Sequence, residues 1–149
     1  MVLKAPPDFL HDRRKVGWTL LEDAPLKGDS VLGLRDFLIA DETHTTGETM
    51  LLRAKEFGNL AGQRHAECLL GNQCDCLPGQ LKLIPKSWRE YDLVFLGTLW
   101  GCEKGSRHPV VLGYGDYGWG PSWWHSLDEI SAVLSSRWDR PKRIVCLIE

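Results

Sequence analysis

Thirteen residues, Gly113-Tyr-Gly-Asp-Tyr-Gly-Trp-Gly-Pro-Ser-Trp-Trp-His125, hold four glycines, two tyrosines and three of the seven tryptophans of the chain. Flat rings with few rotatable bonds stack on sugar faces, nucleobases and cations, or anchor a protein partner. Asp116 and His125 add polar contacts to the segment. Glycine at this density weakens helix and strand alike, so an irregular loop that displays its rings is expected over residues 114–125. The residues assigned to that surface are Tyr114, Asp116, Tyr117, Trp119, Trp123, Trp124 and His125. A competing reading makes the same rings a plug at the end of a sheet, with the glycines permitting close approach. The exposure of Trp119, Trp123 and Trp124 separates the two.

Two other constellations could carry chemistry. Cys102 has His108 across a predicted turn and His125 further on, with Asp116 to orient an imidazole, which is the residue set of a cysteine-dependent hydrolase or transferase. This is the alternative to a non-catalytic binding module. His65, Cys68, Cys74 and Cys76 offer four soft or borderline ligands, and the first two share a helix face. Their C-x-C pair departs from the usual C-x2-C of structural zinc and nothing downstream repeats it, so neither a metal nor any other cofactor is expected. Cys68 is assigned to a helix core, Cys74 and Cys76 to a loop, and Cys146, within IVCLI, to a buried strand. The letters Gly113-x-Gly115-x-x-Gly118 match a dinucleotide pattern, but Pro121 and aromatic residues stand where its helix should begin.

Several elements must position these groups. Val16 to Leu21 is a candidate strand, and Val31, Leu34 and Leu38 fall at helical spacing behind Asp29 and Ser30, in competition with a strand at FLIA. Thr45-Thr-Gly-Glu48 has the form of a capping box, and Met50, Ala54, Phe57, Ala61, Cys68 and Leu69 recur with helical period. One amphipathic helix of about 20 residues, ending near Leu70, follows from that pattern. Leu81 to Ile84 is a possible short strand, Tyr91 to Trp100 a central one apolar on both faces, and Pro109 to Tyr114 its hairpin partner. Ser126-Leu-Asp-Glu129 is a second capping box, opening a helix through Trp138 that Pro141 stops, and Arg143 to Ile148 is a last strand. The fold class expected is a single α+β domain over residues 1–149, with a mixed, mostly antiparallel sheet of about four or five strands covered by two or three helices.

Composition bounds the function. The chain has 149 residues, 43% of them hydrophobic, enough for one core without disulfide or metal support. With 18 Lys and Arg against 20 Asp and Glu, it lacks the positive excess that phosphate-backbone binding requires, and the cluster Arg13, Arg14 and Lys15 is offset by Asp8 and Asp12. Nucleic acid is therefore not an expected partner. No apolar run approaches the roughly 20 residues of a membrane span, so no membrane role is expected either. Five cysteines, an odd number, together with an N-terminus lacking the apolar core of a secretory signal, point to thiols and a cytoplasmic location. The expected partner is a small-molecule ligand or a protein, with homodimerisation through the aromatic segment as one form of the latter.

Overall fold

In a computed structural model, residues 2–3, 8–24, 30–39, 41–42, 45–71, 84–128 and 141–148 are described. The strands are β1 (Val2–Leu3), β2 (Thr19–Glu22), β3 (Ser30–Arg35), β4 (Asp92–Gly101), β5 (Arg107–Gly115), β6 (Gly118–Ser122) and β7 (Lys142–Ile148). The helices are α1 (Gly47–Phe57) and α2 (Gln63–Gly71). The seven strands form one sheet in the order β1-β3-β7-β4-β5-β6, with β2 also on β4. Only β4 and β7 run parallel among the described pairs. This is the α+β architecture with a mixed, mostly antiparallel sheet that the sequence predicts, with more strands than the expected four or five. The second predicted helix, after Asp128, and most of the predicted strand at Leu81 to Ile84 lie outside the described residues.

β4 is the centre because its side chains are apolar in both directions. Val94 and Leu96 face α1 in a core with Met50, Leu51, Ala54, Val111, Ile144 and Cys146. Leu93 and Phe95 face α2 in a second core with Ala66, Leu69, Leu112, Trp119 and Val145. The two helices thus cover opposite faces, so the single long helix expected between Thr45 and Leu70 is broken. Residues 58–62 carry the chain between β4 and β7. Ala61 N–H donates to Val145 O (3.1 Å), Leu147 N–H to Asn59 O (2.7 Å) and Gly97 N–H to Ala61 O (2.9 Å), which ties this crossing segment to both strands. A helix cannot make such bonds, because its N–H and C=O groups are spent within itself.

The crossing opens a fork. β4 and β7 are paired from Asp92↔Lys142 to Val94↔Ile144 and then diverge around residues 59–61. Opposite the fork, β4 bulges: between Phe95↔Val110 and Trp100↔His108 it advances five residues while β5 advances two. The bulged segment brings Thr98 to the start of α2, where its hydroxyl accepts the Gln63 N–H at 2.8 Å. The Gly62 N–H is accepted by His65 Nδ1 at 3.0 Å. α2 is therefore capped by a residue from another strand and by its own third residue.

Local signals were also overridden elsewhere. The spacing of Val31, Leu34 and Leu38 suggests a helix, but residues 30–35 form β3, paired with β7 from Val31↔Ile148 to Arg35↔Ile144. At α1 the cap is Thr46, whose Oγ1 accepts the Thr49 N–H at 3.1 Å. Glu48 does not close a capping box with Thr45; it pairs with Arg107, which also grips Asp128 (Nη2 to Oδ1, 2.7 Å).

His65 gives the fold a pH dependence. It is 1% exposed, and its Nε2 has no hydrogen-bond partner among the described residues. Burial, reinforced by the neighbouring Arg64 guanidinium, pushes the imidazole below its ordinary value. The folded state takes up that proton less readily than the unfolded chain. The His65 contribution is therefore fully present above about pH 6.5 and lost as the pH falls below it. Denaturant titrations between about pH 7.5 and about pH 5 should show stability declining by up to about 1.4 kcal/mol per pH unit. His65→Gln should flatten that slope, and an unchanged slope would assign it to other groups.

Candidate functional site

The aromatic segment is a strand hairpin. β5 and β6 pair from Val111↔Ser122 to Gly115↔Gly118, with Asp116 and Tyr117 in the turn. Gly118, at φ +97°, closes that turn in the left-handed region that favours glycine. The irregular loop expected from glycine density is thus replaced as far as Ser122. Two effects outweigh glycine's weak strand propensity: Tyr114 and Trp119 form a cross-strand pair with centroids 5.5 Å apart, and Trp119 fills the α2-side core. Pro121 is tolerated because β6 is an edge, where no neighbouring strand needs its missing N–H.

The hairpin separates the seven candidate residues into three places. Asp116 and Tyr117 are exposed at the tip. Trp119 is 6% exposed and structural, and the half-buried Tyr114 lies beneath the Arg89 guanidinium. Trp123, Trp124 and His125 follow the other end of β6, five residues or about 17 Å of extended chain from the tip. No single surface therefore contains all seven. For Trp119 the plug reading holds; Trp124, 73% exposed and stacked on His125 at 3.9 Å, points outward.

Trp123 belongs to a larger assembly built with the N-terminal segment. The carboxylate of Glu67, on α2, accepts the backbone N–H groups of Leu10 (3.0 Å) and His11 (2.7 Å), and Gln63 Nε2 donates to His11 O (2.7 Å). The Gln63 carbonyl oxygen accepts both the Trp100 indole N–H (2.7 Å) and that of Trp123 (3.1 Å). Asp12 caps a short 3-10 turn over Arg13–Val16, and Gly17, at φ +87°, ends it. This geometry delivers Arg13 into the space between two indoles, its guanidinium carbon 4.4 Å from the Trp18 ring centroid and 5.1 Å from that of Trp123. His11 meets the edge of Trp123 at 5.4 Å, and Trp18 lies 4.8 Å from His108, whose Nδ1 is 3.0 Å from His125 O.

Arg13 differs from its neighbour in sequence. Arg14 is paired with Asp12 through Nε and Nη2, both at 2.8 Å. Arg13 forms no ion pair with any described residue, and its Nε is buried without an acceptor. The sequence presents the basic cluster as a solvated face offset by Asp8 and Asp12; that holds for Arg14 and the exposed Lys15 but not for Arg13. Trp18 and Arg13 were missed because no local pattern joins them to Trp123, so far along the chain.

The thiol constellations are less developed. Cys102 sits in the β4–β5 turn, where partial burial raises its pKa but the N–H groups of Lys104 and Ser106 and the Ser106 hydroxyl outweigh this and lower it overall. The His108 ring contacts the His125 backbone oxygen and Trp18, the His125 ring stacks on Trp124, and no hydrogen bond joins either ring to Cys102. Cys68 and His65 lie on α2, Cys74 and Cys76 fall outside the described residues, and no cluster of three metal-ligating side chains occurs among the described ones. Cys146 is buried in β7, and burial pushes its thiol up. No described helix is long and apolar enough to cross a membrane. No family model, curated protein or solved structure matches this chain.

Proposed function

We propose that the protein is a non-catalytic binding module that recognises the anionic group of a small planar ligand through Arg13, with Trp18, Trp123 and the outward-facing Trp124 as its aromatic surround. The observation that carries this reading is the guanidinium held between two indoles with no carboxylate beside it. Cation–π contact fixes the side chain while leaving its donors unspent. A carboxylate or phosphate arriving there gains paired hydrogen bonds at reduced entropic cost. His11 and His108 stand at the two ends of the ring stack. A cytoplasmic location is part of the proposal and is consistent with Cys68, Cys102 and Cys146 as free thiols.

Tryptophan fluorescence with phenyl phosphate, inorganic phosphate and phenol as probes tests the reading. Phenyl phosphate should saturate the signal and bind more tightly than either fragment. Arg13→Gln should weaken it at least about tenfold, since a charge-assisted bidentate contact is worth about 1.5–3 kcal/mol. Arg13→Lys, which keeps charge but loses the planar fork, should fall between. Equal binding by the wild type and Arg13→Gln, or no saturation by any anion, would overturn it.

A further inference from the structure

The fork between β4 and β7 holds a cavity of about 470 Å³, separate from Arg13 and its indoles, beside the end of α1. That volume lies within the range of small-molecule sites. Parallel strands that part at their carboxyl ends leave a crevice, and in open sheets ligands favour such places. Here the crevice exists because the crossing segment separates the two strands. Gly97 lets it come close on the β4 side: a Cβ there would lie 2.6 Å from Leu60 O and 2.8 Å from Ala61 O.

The walls have distinct chemistry. Leu60, Leu96, Leu147 and Ala24 supply an apolar interior, and Glu22, Asp23 and Lys55 supply the charged lining. Asp23 is fixed: its Oδ1 accepts the Thr98 hydroxyl at 2.7 Å and its Oδ2 is bonded by Arg64. Glu22 and Lys55 are held differently. Their contact is 3.4 Å, and the two side chains are 47% and 52% exposed. Such a pair is weak, and Lys55 can return to water at little cost.

We propose that this fork is a binding site for a protonated primary amine carrying an apolar body. The ammonium displaces Lys55 from Glu22 and the hydrocarbon enters among the leucines. Asp23 is neutralised by Arg64, so the selectivity rests on Glu22, whose shorter side chain on β2 stays at the rim when the longer Lys55 swings into water and so presents a carboxylate to a cation. The displaced Lys55 stays hydrated, so no charge is left buried and unpaired.

Octylamine, octanol and octanoate share a tail and differ in head group, which makes them suitable probes by amide chemical-shift titration. Octylamine should shift the signals of Gly58, Gly97 and Leu147 and bind about tenfold tighter than octanoate, with octanol between them. Attraction in one case and repulsion in the other each count for a few-fold at a partly exposed site. Glu22→Gln should bring octylamine to the level of octanol, and Lys55→Met should strengthen octylamine several-fold. Both substitutions are at exposed positions and leave the fold intact. Arg13→Gln should change none of these affinities, so this site and the Arg13 site succeed or fail separately. Equal binding of all three head groups, or shifts that map away from the fork, would overturn the proposal.

Discussion

Gln63→Ala should lower the unfolding free energy by about 4 kcal/mol and release the N-terminal segment to protease. Gln63 is fully buried and its amide is used at both ends: Nε2 holds His11 O, and Oε1 accepts the Trp100 and Trp123 indoles. Trp100 is itself fully buried, so its N–H cannot turn to water once the acceptor is gone. One such orphan costs about 1–3 kcal/mol, and the two lost bonds nearer the surface add about 1 kcal/mol each. In a chain of this size the fall in Tm should be about 10 °C or somewhat more, read by calorimetry. Trypsin provides a second readout, because Arg13, Arg14 and Lys15 are on the segment that Gln63 and Glu67 hold. Gln63→Met restores the volume without the bonds and should recover no more than about 1 kcal/mol. Full recovery by methionine would show that the loss is one of packing.

Gly97→Ala should cost about 3 kcal/mol, a large effect for one methyl group. The added carbon would overlap two backbone carbonyls of the crossing segment and come within 2.9 Å of Ala24 Cβ. Carbonyls cannot rotate away as a side-chain end can, so the segment must withdraw and the Gly97 N–H to Ala61 O bond must lengthen or break. Hydrogen exchange should show faster exchange at Ala61 and Leu147, whose amides secure the crossing to β7. Gly115→Ala, where the new carbon meets nothing within 4 Å, is the control and should stay within about 0.5 kcal/mol of wild type. Equal stability of both variants would mean that the close approach at Gly97 is unnecessary.

These residues also mark where sequence reading succeeded and where it stopped. β4, β5 and β7 are legible as strands because runs such as DLVFL and RIVCLI are apolar and rich in β-favouring residues, and the run at β4 is long and apolar enough to predict burial on both faces. The start of α1 was legible from its threonines and its period. Its end was not, because Phe57, Ala61 and Cys68 continue the helical spacing across a segment that tertiary structure requires to be extended. The cap of α2 is Thr98, which no local pattern supplies. β6 reads as a loop on glycine propensity alone, because that propensity leaves out the Trp119 side chain whose burial and pairing with Tyr114 stabilise the strand. At the candidate site, Trp123, Trp124 and His125 were named from composition. Arg13 could be recognised only once the fold had placed it against rings from both ends of the chain.

The passage of the chain from one face of the sheet to the other also has a kinetic meaning. Of the bonds that lock it, one comes from Gly97 on β4 and two run to Val145 and Leu147 on β7, so during synthesis both helices leave the ribosome well before the last strand that secures their connection. Most of the native pairing is remote in sequence, a high contact order of the kind that slows folding. The nascent protein therefore passes through a stage in which α1 and α2 can dock on β4 and β5 while β7's share of both cores, Ile144, Val145 and Cys146, is still missing, an interval in which chaperones have access and aggregation competes.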